Sequence, residues 1–154
     1  VLRKGGDKFG MWNTGYTYSG HPVCAAVALE TLNIYEERNL LGHVRSVMGT
    51  FQEQFASFAD HPLVGEVRGV GLFAAMELTP DPENKGLFDP AKRVAFKMNA
   101  FAQSHGLIMR ALPSDSVALC PPLIITEDEI GMCMERAGKA LDDTWQWVQN
   151  EGLV

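Results

Sequence analysis

A hydroxyl-rich loop bracketed by glycines, at residues 14–22, leads into an alanine-rich run and constrains how the surrounding chain can fold. Gly15 and Gly20 permit backbone conformations that other residues disfavour, which predicts a loop. Pro22 suits the first turn of a helix because no amide proton is needed there, and residues 23–30 are rich in helix formers. The pattern therefore predicts a helix over about residues 22–37, with this loop at its N-terminus.

Three hydroxyl side chains lie close to the predicted helix N-terminus: Thr14, Thr17 and Ser19. Free amide donors and a partial positive charge make a helix N-terminus suitable for a phosphate or a carboxylate. The alternative is that Ser19 or His21 simply caps the helix, and caps are commoner than anion sites. The residues alone favour the cap.

Composition and charge exclude several classes of function. The 154 residues are 46% hydrophobic with a formal net charge of −6, which predicts one ordinary core and no cationic face for nucleic acid. No apolar run approaches the roughly 20 residues that span a bilayer, so no membrane partner is expected. Cys24, Cys120 and Cys133 form no CxxC pair, and no Cys or His set has metal-ligand spacing. We expect reduced thiols, no metal and a cytoplasmic protein.

The chain on either side of the first helix predicts an α+β arrangement. Residues 1–12 are a charged, turn-rich run that we expect at the surface. After an interruption at Asn39 and Gly42, a second helix is expected to end at residues 60–62. Its apolar stripe comprises Val44, Val47, Met48, Phe51, Phe55 and Phe58.

Residues 63–78 predict two antiparallel strands joined near Gly69 and Gly71. The run also matches the dinucleotide fingerprint G-x-G-x-x-A, but residues 79–82 leave no room for the helix which that motif requires. Beyond it we expect a helix from Asp89 to Gly106, strands at 107–109 and 117–120, and a last helix. A Thr126–Glu129 capping box should open this last helix.

Arg110 is the strongest candidate binding residue outside the loop. It follows a predicted strand and precedes a turn, a place where binding residues are often displayed. A guanidinium there can hold a carboxylate through two parallel hydrogen bonds. The alternative, favoured by the residues alone, is a surface Arg in an ion pair. Arg68, between the two predicted strands, stays unassigned and could tether domains, whereas His21 is interpreted as structural.

Three stretches, in this order, resemble the class III aminotransferases, which use pyridoxal phosphate (PLP). They are Gly-Tyr-Thr-Tyr-Ser-Gly-His-Pro at 15–22, Val-Arg-Gly-Val-Gly-Leu at 67–72, and Ile-Met-Arg at 108–110 with Cys-Pro-Pro-Leu at 120–123. The resemblance implies the C-terminal part of a fold-type I PLP-dependent aminotransferase, with a small antiparallel sheet packed with helices. Residues 1–45 would end the large PLP-binding domain, and residues 46–154 would form the small C-terminal domain.

The resemblance also implies roles for three residues. Thr17 would reach across a homodimer interface to the PLP phosphate of the other subunit, with Tyr16 beside it at the partner's active site. Arg110 would hold the carboxylate of the acceptor keto acid and swing away for a neutral amine. The family's Schiff-base lysine lies upstream of the loop, and Lys4 and Lys8 do not match its context. No catalytic residue is therefore expected in this chain, which we expect to be inactive alone and part of a longer enzyme.

The implied reaction moves an amino group from an omega-amino acid or amine to pyruvate or a similar keto acid. One alternative is a non-catalytic interaction or regulatory domain derived from the aminotransferase fold. Another is a different class III branch, acting on a diamine, an ornithine-like substrate or a biotin precursor.

Overall fold

The computed structural model describes residues 2–10 and 15–154, which form two compact units, Val1–Asn39 and Leu40–Val154. The first unit contains α1 (Leu2–Phe9) and α2 (Pro22–Glu37). The second contains α3 (Leu40–Ala56), β1 (Val64–Val70), β2 (Phe73–Leu78), α4 (Val94–Ser104), β3 (Arg110–Ala111), β4 (Ser116–Leu119) and α5 (Glu127–Asn150). Two 3-10 turns, Ser57–Asp60 and Pro90–Lys92, precede β1 and α4. The predicted domain boundary at residues 45/46 falls inside α3 and stays a prediction.

The first helix corrects a prediction from sequence. The charged run was expected to be turns, yet Leu2–Phe9 is helical, while its lysines are exposed as expected. Gly10 adopts a φ of +82° and its amide donates to the Gly6 carbonyl at 3.0 Å. A left-handed glycine of this kind satisfies a carbonyl at the helix end, which offsets part of the low helix propensity of the internal glycines. Residues 1, 11 and 12 of the predicted run lie outside the described residues.

Helix α2 has the predicted bounds, whereas α3 departs from prediction at its start and also ends earlier, at Ala56, before the 3-10 turn Ser57–Asp60. Asn39, with a φ of +46°, separates the two helices. The predicted break at Gly42 is wrong, because α3 begins at Leu40 and continues through that glycine. Three members of the predicted apolar stripe, Val47, Phe51 and Phe55, are buried in α3. Burial of two aromatic rings at helical spacing explains why the periodicity predicted this element well.

The four-stranded antiparallel sheet has the order β1-β2-β4-β3. Strands β1 and β2 form the predicted hairpin, with Gly71 at a φ of +58° in its turn. The amide of Gln52 on α3 donates to the Gly71 and Phe73 carbonyls at 2.9 and 3.1 Å, which secures the turn. A strand follows the glycines where a dinucleotide site needs a helix, so the rejection of that motif is confirmed.

Two boundaries in the second unit differ from prediction. Asp89 accepts a hydrogen bond from the Ala91 amide at 2.9 Å, but it starts only a 3-10 turn. Arg93, with a φ of +52°, interrupts the helical conformation, and α4 begins only at Val94. The predicted strand at 107–109 is not formed, and the regular strand is β3, two residues long.

Helix α5 packs along one side of the core, as the sequence predicted. The capping box is present: the Glu129 amide donates to the Thr126 hydroxyl, and the Thr126 amide donates to the Glu129 carboxylate. The buried α5 residues are Ile130, Met134, Ala137, Ala140, Leu141, Thr144 and Val148. All of these except Thr144 join Phe51, Phe55, Met76, Met98 and Val117 in a single cluster of buried hydrophobic side chains. Within the described part of the chain, no helix has both the length and the apolarity needed to cross a bilayer.

One histidine contact links the segment before β1 to α5. His61 lies 3.6 Å from Asp142, and its ring meets that of Trp145 edge-on with centroids 6.2 Å apart. The His61 side chain is 17% exposed. Burial lowers the pKa of His61 below its ordinary 6.5, although Asp142 acts in the opposite direction.

This depressed pKa predicts that acid destabilises the second unit. At pH values between the pKa of His61 in the folded protein and 6.5, the unfolded chain binds more protons than the folded protein does. The free energy of unfolding therefore falls as pH drops below about 6.5. Urea unfolding followed at pH 5.5 and 7.5 should give a lower midpoint at 5.5. His61→Gln should reduce the difference between the two midpoints. An unchanged difference in the variant would show that His61 does not cause it.

Candidate functional site

The loop before α2 is a compact turn built by its own hydrogen bonds. The Ser19 amide donates to the Tyr16 carbonyl at 2.9 Å, and the His21 amide donates to the Tyr18 carbonyl at 3.1 Å. In return the Tyr16 amide donates to the Ser19 hydroxyl at 2.9 Å. Gly20 completes the turn with a φ of +75°, a conformation that disfavours side chains.

This arrangement leaves the N-terminus of α2 without a side-chain cap. His21 occupies the N-cap position, but its ring makes no capping hydrogen bond, and Pro22 follows it at the first turn. Ser19 already accepts from Tyr16. The capping alternative is therefore wrong for both residues. The amides of Val23 and Cys24 have no intrahelical acceptor, and they lie at the positive end of the helix dipole.

The two predicted cofactor residues lie side by side in this turn. Thr17 and Tyr16 are both exposed, and the Tyr16 side chain is 79% accessible. Across residues 2–10 and 15–154, the Thr17 hydroxyl makes no hydrogen bond. A hydroxyl in the turn that precedes an uncapped helix N-terminus is chemically suited to a phosphate group such as that of PLP. Thr14, the third predicted hydroxyl, lies outside the described residues.

Arg110 lies in the second unit, on the edge strand of the sheet. It is the first residue of β3 and does not follow a strand as predicted, and it pairs with Ala118 of β4. Its side chain is exposed and forms no ion pair or hydrogen bond within the described part of the chain. The alternative of a surface ion pair is thus not supported by the structure.

Arg68 provides the contrast, because its charge is already paired. Its Nη1 lies 3.1 Å from Glu66 and 3.3 Å from Glu77, all within the β1–β2 hairpin. Both carboxylates raise the pKa of Arg68. The suggestion that Arg68 tethers domains is replaced by a role inside the hairpin, where an exposed ion pair contributes little stability.

Sequence reasoning missed two polar residues that hold the Arg110 strand. The Asn99 carboxamide oxygen on α4 accepts from the Met109 amide at 3.2 Å. The buried Asp115 carboxylate accepts from the Ala95 amide at 2.9 Å, in the first turn of α4. Only a weak signal existed for Asp115, namely its place in the Pro-Ser-Asp-Ser turn, and none existed for Asn99.

The cysteines form no functional cluster in the structure. A groove of about 560 Å³ passes Cys120 and Cys133 between the β4 end and α5. Burial raises the pKa of Cys133, which favours its neutral thiol. Among the described residues no group of three or more His, Cys, Asp or Glu side chains could hold a metal. Arg110 does not line this groove, which is therefore separate from the candidate carboxylate site.

Comparison with known proteins places this geometry in a family. Residues 3–141 match the family described as aminotransferase class-III. The chain belongs to the class III aminotransferases. The antiparallel sheet packed with helices is accordingly the C-terminal part of the PLP-dependent aminotransferase fold, as the sequence resemblance predicted.

Curated class III aminotransferases match nearly the whole chain. An uncharacterized aminotransferase, y4uB, of Sinorhizobium fredii is 43% identical over 99% of the chain. Gamma aminobutyrate transaminase 3, chloroplastic, of Solanum lycopersicum is 39% identical over 94%. The chain spans 33% and 28% of the length of these two relatives.

Solved structures of class III aminotransferases agree with these relatives. The omega transaminase from Pseudomonas jessenii in complex with PMP superposes with a TM-score of 0.79 at 45% identity. That match covers 96% of this chain and 32% of the transaminase. A structure described as a transaminase with L-ala has a TM-score of 0.81 at 41% identity.

Proposed function

We propose that the full-length protein transfers an amino group from an omega-amino acid or an amine to pyruvate or a similar keto acid. It would act as a PLP-dependent homodimer, to which this chain contributes Thr17, Tyr16 and Arg110. The proposal rests on membership of the class III aminotransferases and on relatives named as omega and gamma-aminobutyrate transaminases.

The observation that carries the proposal is the unpaired guanidinium of Arg110. Every keto acid acceptor presents a carboxylate, whereas an amine donor need not. An exposed Arg with no internal acid partner among the described residues can form two charge-assisted hydrogen bonds to that carboxylate. Its position on a short edge strand leaves the side chain room to move away when the substrate end is uncharged.

Thr17 and Tyr16 would act on the cofactor rather than on the substrate. PLP, when bound, supplies the electron sink that makes amino-group transfer possible. The Thr17 hydroxyl and the uncapped α2 amides would bind its phosphate from across the subunit interface. Tyr16 would pack beside this contact. The lysine that bonds PLP is expected outside this chain, as are the remaining cofactor contacts.

The assay that tests this function compares two proteins. The full-length enzyme should convert an amine and pyruvate to a ketone and alanine, with PLP required. The 154-residue chain, assayed at the same concentration, should show no turnover. Absence of activity in the full-length enzyme across omega-amino acids and amines would favour the non-catalytic alternative. Activity restricted to diamines would favour the other class III branch.

Replacing Thr17 by alanine should weaken PLP retention in the full-length enzyme. Loss of one charge-assisted hydrogen bond of about 1.5–3 kcal/mol corresponds to a roughly 10-fold or greater rise in the Kd for PLP. The Kd is measured by absorbance titration of the apoenzyme. Thr31→Ala is the matched control, because the Thr31 hydroxyl donates to the Val27 carbonyl within α2. Equal affinity in wild-type and Thr17→Ala enzymes would remove the assignment.

A further inference from the structure

The strand that carries Arg110 has very little regular structure of its own. Strand β3 contains only two residues and pairs with one neighbour, β4, at the edge of the sheet. Two ladder positions cannot by themselves hold a side chain in one orientation, since a strand of this length is marginal. Something outside the sheet must define where Arg110 lies.

Helix α4 supplies the first of two contacts. Asn99 lies at the middle of α4, and its carboxamide oxygen accepts from the Met109 amide at 3.2 Å. Met109 immediately precedes Arg110 and is buried, at 5% exposure. This hydrogen bond therefore satisfies a buried amide donor. It also fixes the position of the backbone at the residue just before Arg110.

The second contact comes from the far end of the β3–β4 turn. Asp115 is 7% exposed and has a φ of +50°. Its carboxylate accepts from the Ala95 amide at 2.9 Å, near the N-terminus of α4, and its carbonyl accepts from the Leu78 amide at 2.9 Å. Because Arg93 provides no side-chain cap, Asp115 caps α4 from a distant part of the sequence. One residue thus joins the turn, the helix and β2.

We propose that Asn99 and Asp115 are positioning residues for Arg110, which set the place of its guanidinium and so the affinity for the acceptor carboxylate. The inference rests on the proposed function of Arg110. Neither residue would touch the substrate. They act because a bidentate contact between a guanidinium and a carboxylate tolerates only about 0.5 Å of misplacement.

The test measures steady-state kinetics of the full-length enzyme with pyruvate and an amine that lacks a carboxylate. Asn99→Ala and Asp115→Ala should each raise the KM for pyruvate by roughly tenfold, as expected for a displaced binding group. The KM for the amine should change less than about twofold, because no arginine contact forms in that half of the reaction. Asn at position 115 keeps an acceptor oxygen and tolerates a positive φ, so Asp115→Asn should have a KM for pyruvate close to that of the wild type.

A second measurement reports on position without using activity. Amide hydrogen exchange at residues 107–112 of the full-length enzyme should accelerate in Asn99→Ala and Asp115→Ala, because the strand loses an anchor. Thr126→Ala is the control. It loses the cap of α5 and should leave both the exchange of this segment and the KM for pyruvate unchanged.

The outcomes distinguish a failure of the positioning role from a failure of the proposed function. If Arg110→Ala raises the KM for pyruvate but Asn99→Ala and Asp115→Ala do not, the positioning role is overturned and the proposed function stands. If Arg110→Ala leaves that KM unchanged, both are overturned. A rise in the KM of Thr126→Ala equal to that of Asp115→Ala would also overturn the positioning role, because general destabilisation would explain it. If Asp115→Ala fails to fold, Asn99→Ala alone decides the question.

Discussion

Replacing Arg110 by alanine in the full-length enzyme should raise the KM for pyruvate by roughly 10- to 100-fold. A bidentate, charge-assisted contact contributes about 1.5–3 kcal/mol, and each 1.4 kcal/mol is a factor of ten in affinity. The KM for an amine without a carboxylate should change less than about twofold, because no acid group is there to be lost. Initial rates at varied pyruvate and at varied amine measure the two effects separately.

Two further variants show whether the effect belongs to this guanidinium. Arg68→Ala removes a second exposed arginine, whose charge is already paired with Glu66 and Glu77, and both KM values should stay near wild type. Arg110→Lys keeps the charge but not the two parallel donors, so its KM for pyruvate should fall between those of wild type and alanine. Equal rises for pyruvate and amine in Arg110→Ala would indicate a general folding defect and contradict the assignment.

Gly69→Ala should cause a large loss of stability, about 2–4 kcal/mol. A Cβ at this position in β1 would lie 2.5 Å from the Gln52 carboxamide oxygen and 2.7 Å from the Phe73 carbonyl oxygen. Gln52 can move, but the Phe73 carbonyl belongs to the paired strand and cannot. The change is measured as the shift in the urea unfolding midpoint of the chain.

A glycine with open space around it provides the control for this variant. Gly131 lies inside α5, and a Cβ there meets nothing within 4 Å. Gly131→Ala should therefore stabilise the protein by about 0.4–1 kcal/mol, through helix propensity and a less flexible unfolded chain. Adding Gln52→Ala to Gly69→Ala should recover only part of the loss. Full recovery would show that the backbone contact with Phe73 is not the cause.

Elements whose signals are local were predicted well from sequence. Pro22 and the alanine-rich run placed α2, the phenylalanine stripe placed α3, and the Thr126–Glu129 box placed the start of α5. Each signal lies within a few residues of the element that it specifies. The hydrophobic periodicity correctly named Val47, Phe51 and Phe55 as buried, but it also named Met48, which is exposed.

Two of the errors in the second unit occur where distant residues decide the local structure. The start of α4 was placed at Asp89, yet the helix begins at Val94, where the cap comes from Asp115. The strand expected at 107–109 is irregular because Asn99, not a neighbouring strand, satisfies the Met109 amide. A cap or anchor that lies ten or twenty residues away leaves no local pattern in the sequence.

For the candidate site residues, too, some features could be predicted from sequence and others needed the structure. Thr17, Tyr16 and Arg110 could be named from sequence because they lie in stretches that resemble a family. The structure was needed to show that Arg68 is paired, whereas Arg110 has no ion-pair partner within residues 2–10 and 15–154, since both are exposed arginines in strands. The roles of Thr17 and Tyr16 on the cofactor, and of Arg110 on the substrate, stay proposals.

The edge position of β3 has a consequence for protein engineering. Strands β2 and β4 supply most of the buried positions of the sheet, whereas Arg110 is an exposed residue on the edge strand β3. Randomising position 110 alone, with residues 111–115 and Asn99 retained, should give variants that differ in acceptor preference but have similar melting temperatures, because substitutions at exposed positions change stability little. Acceptor choice in such a library would depend on one exposed side chain and could be changed separately from the fold.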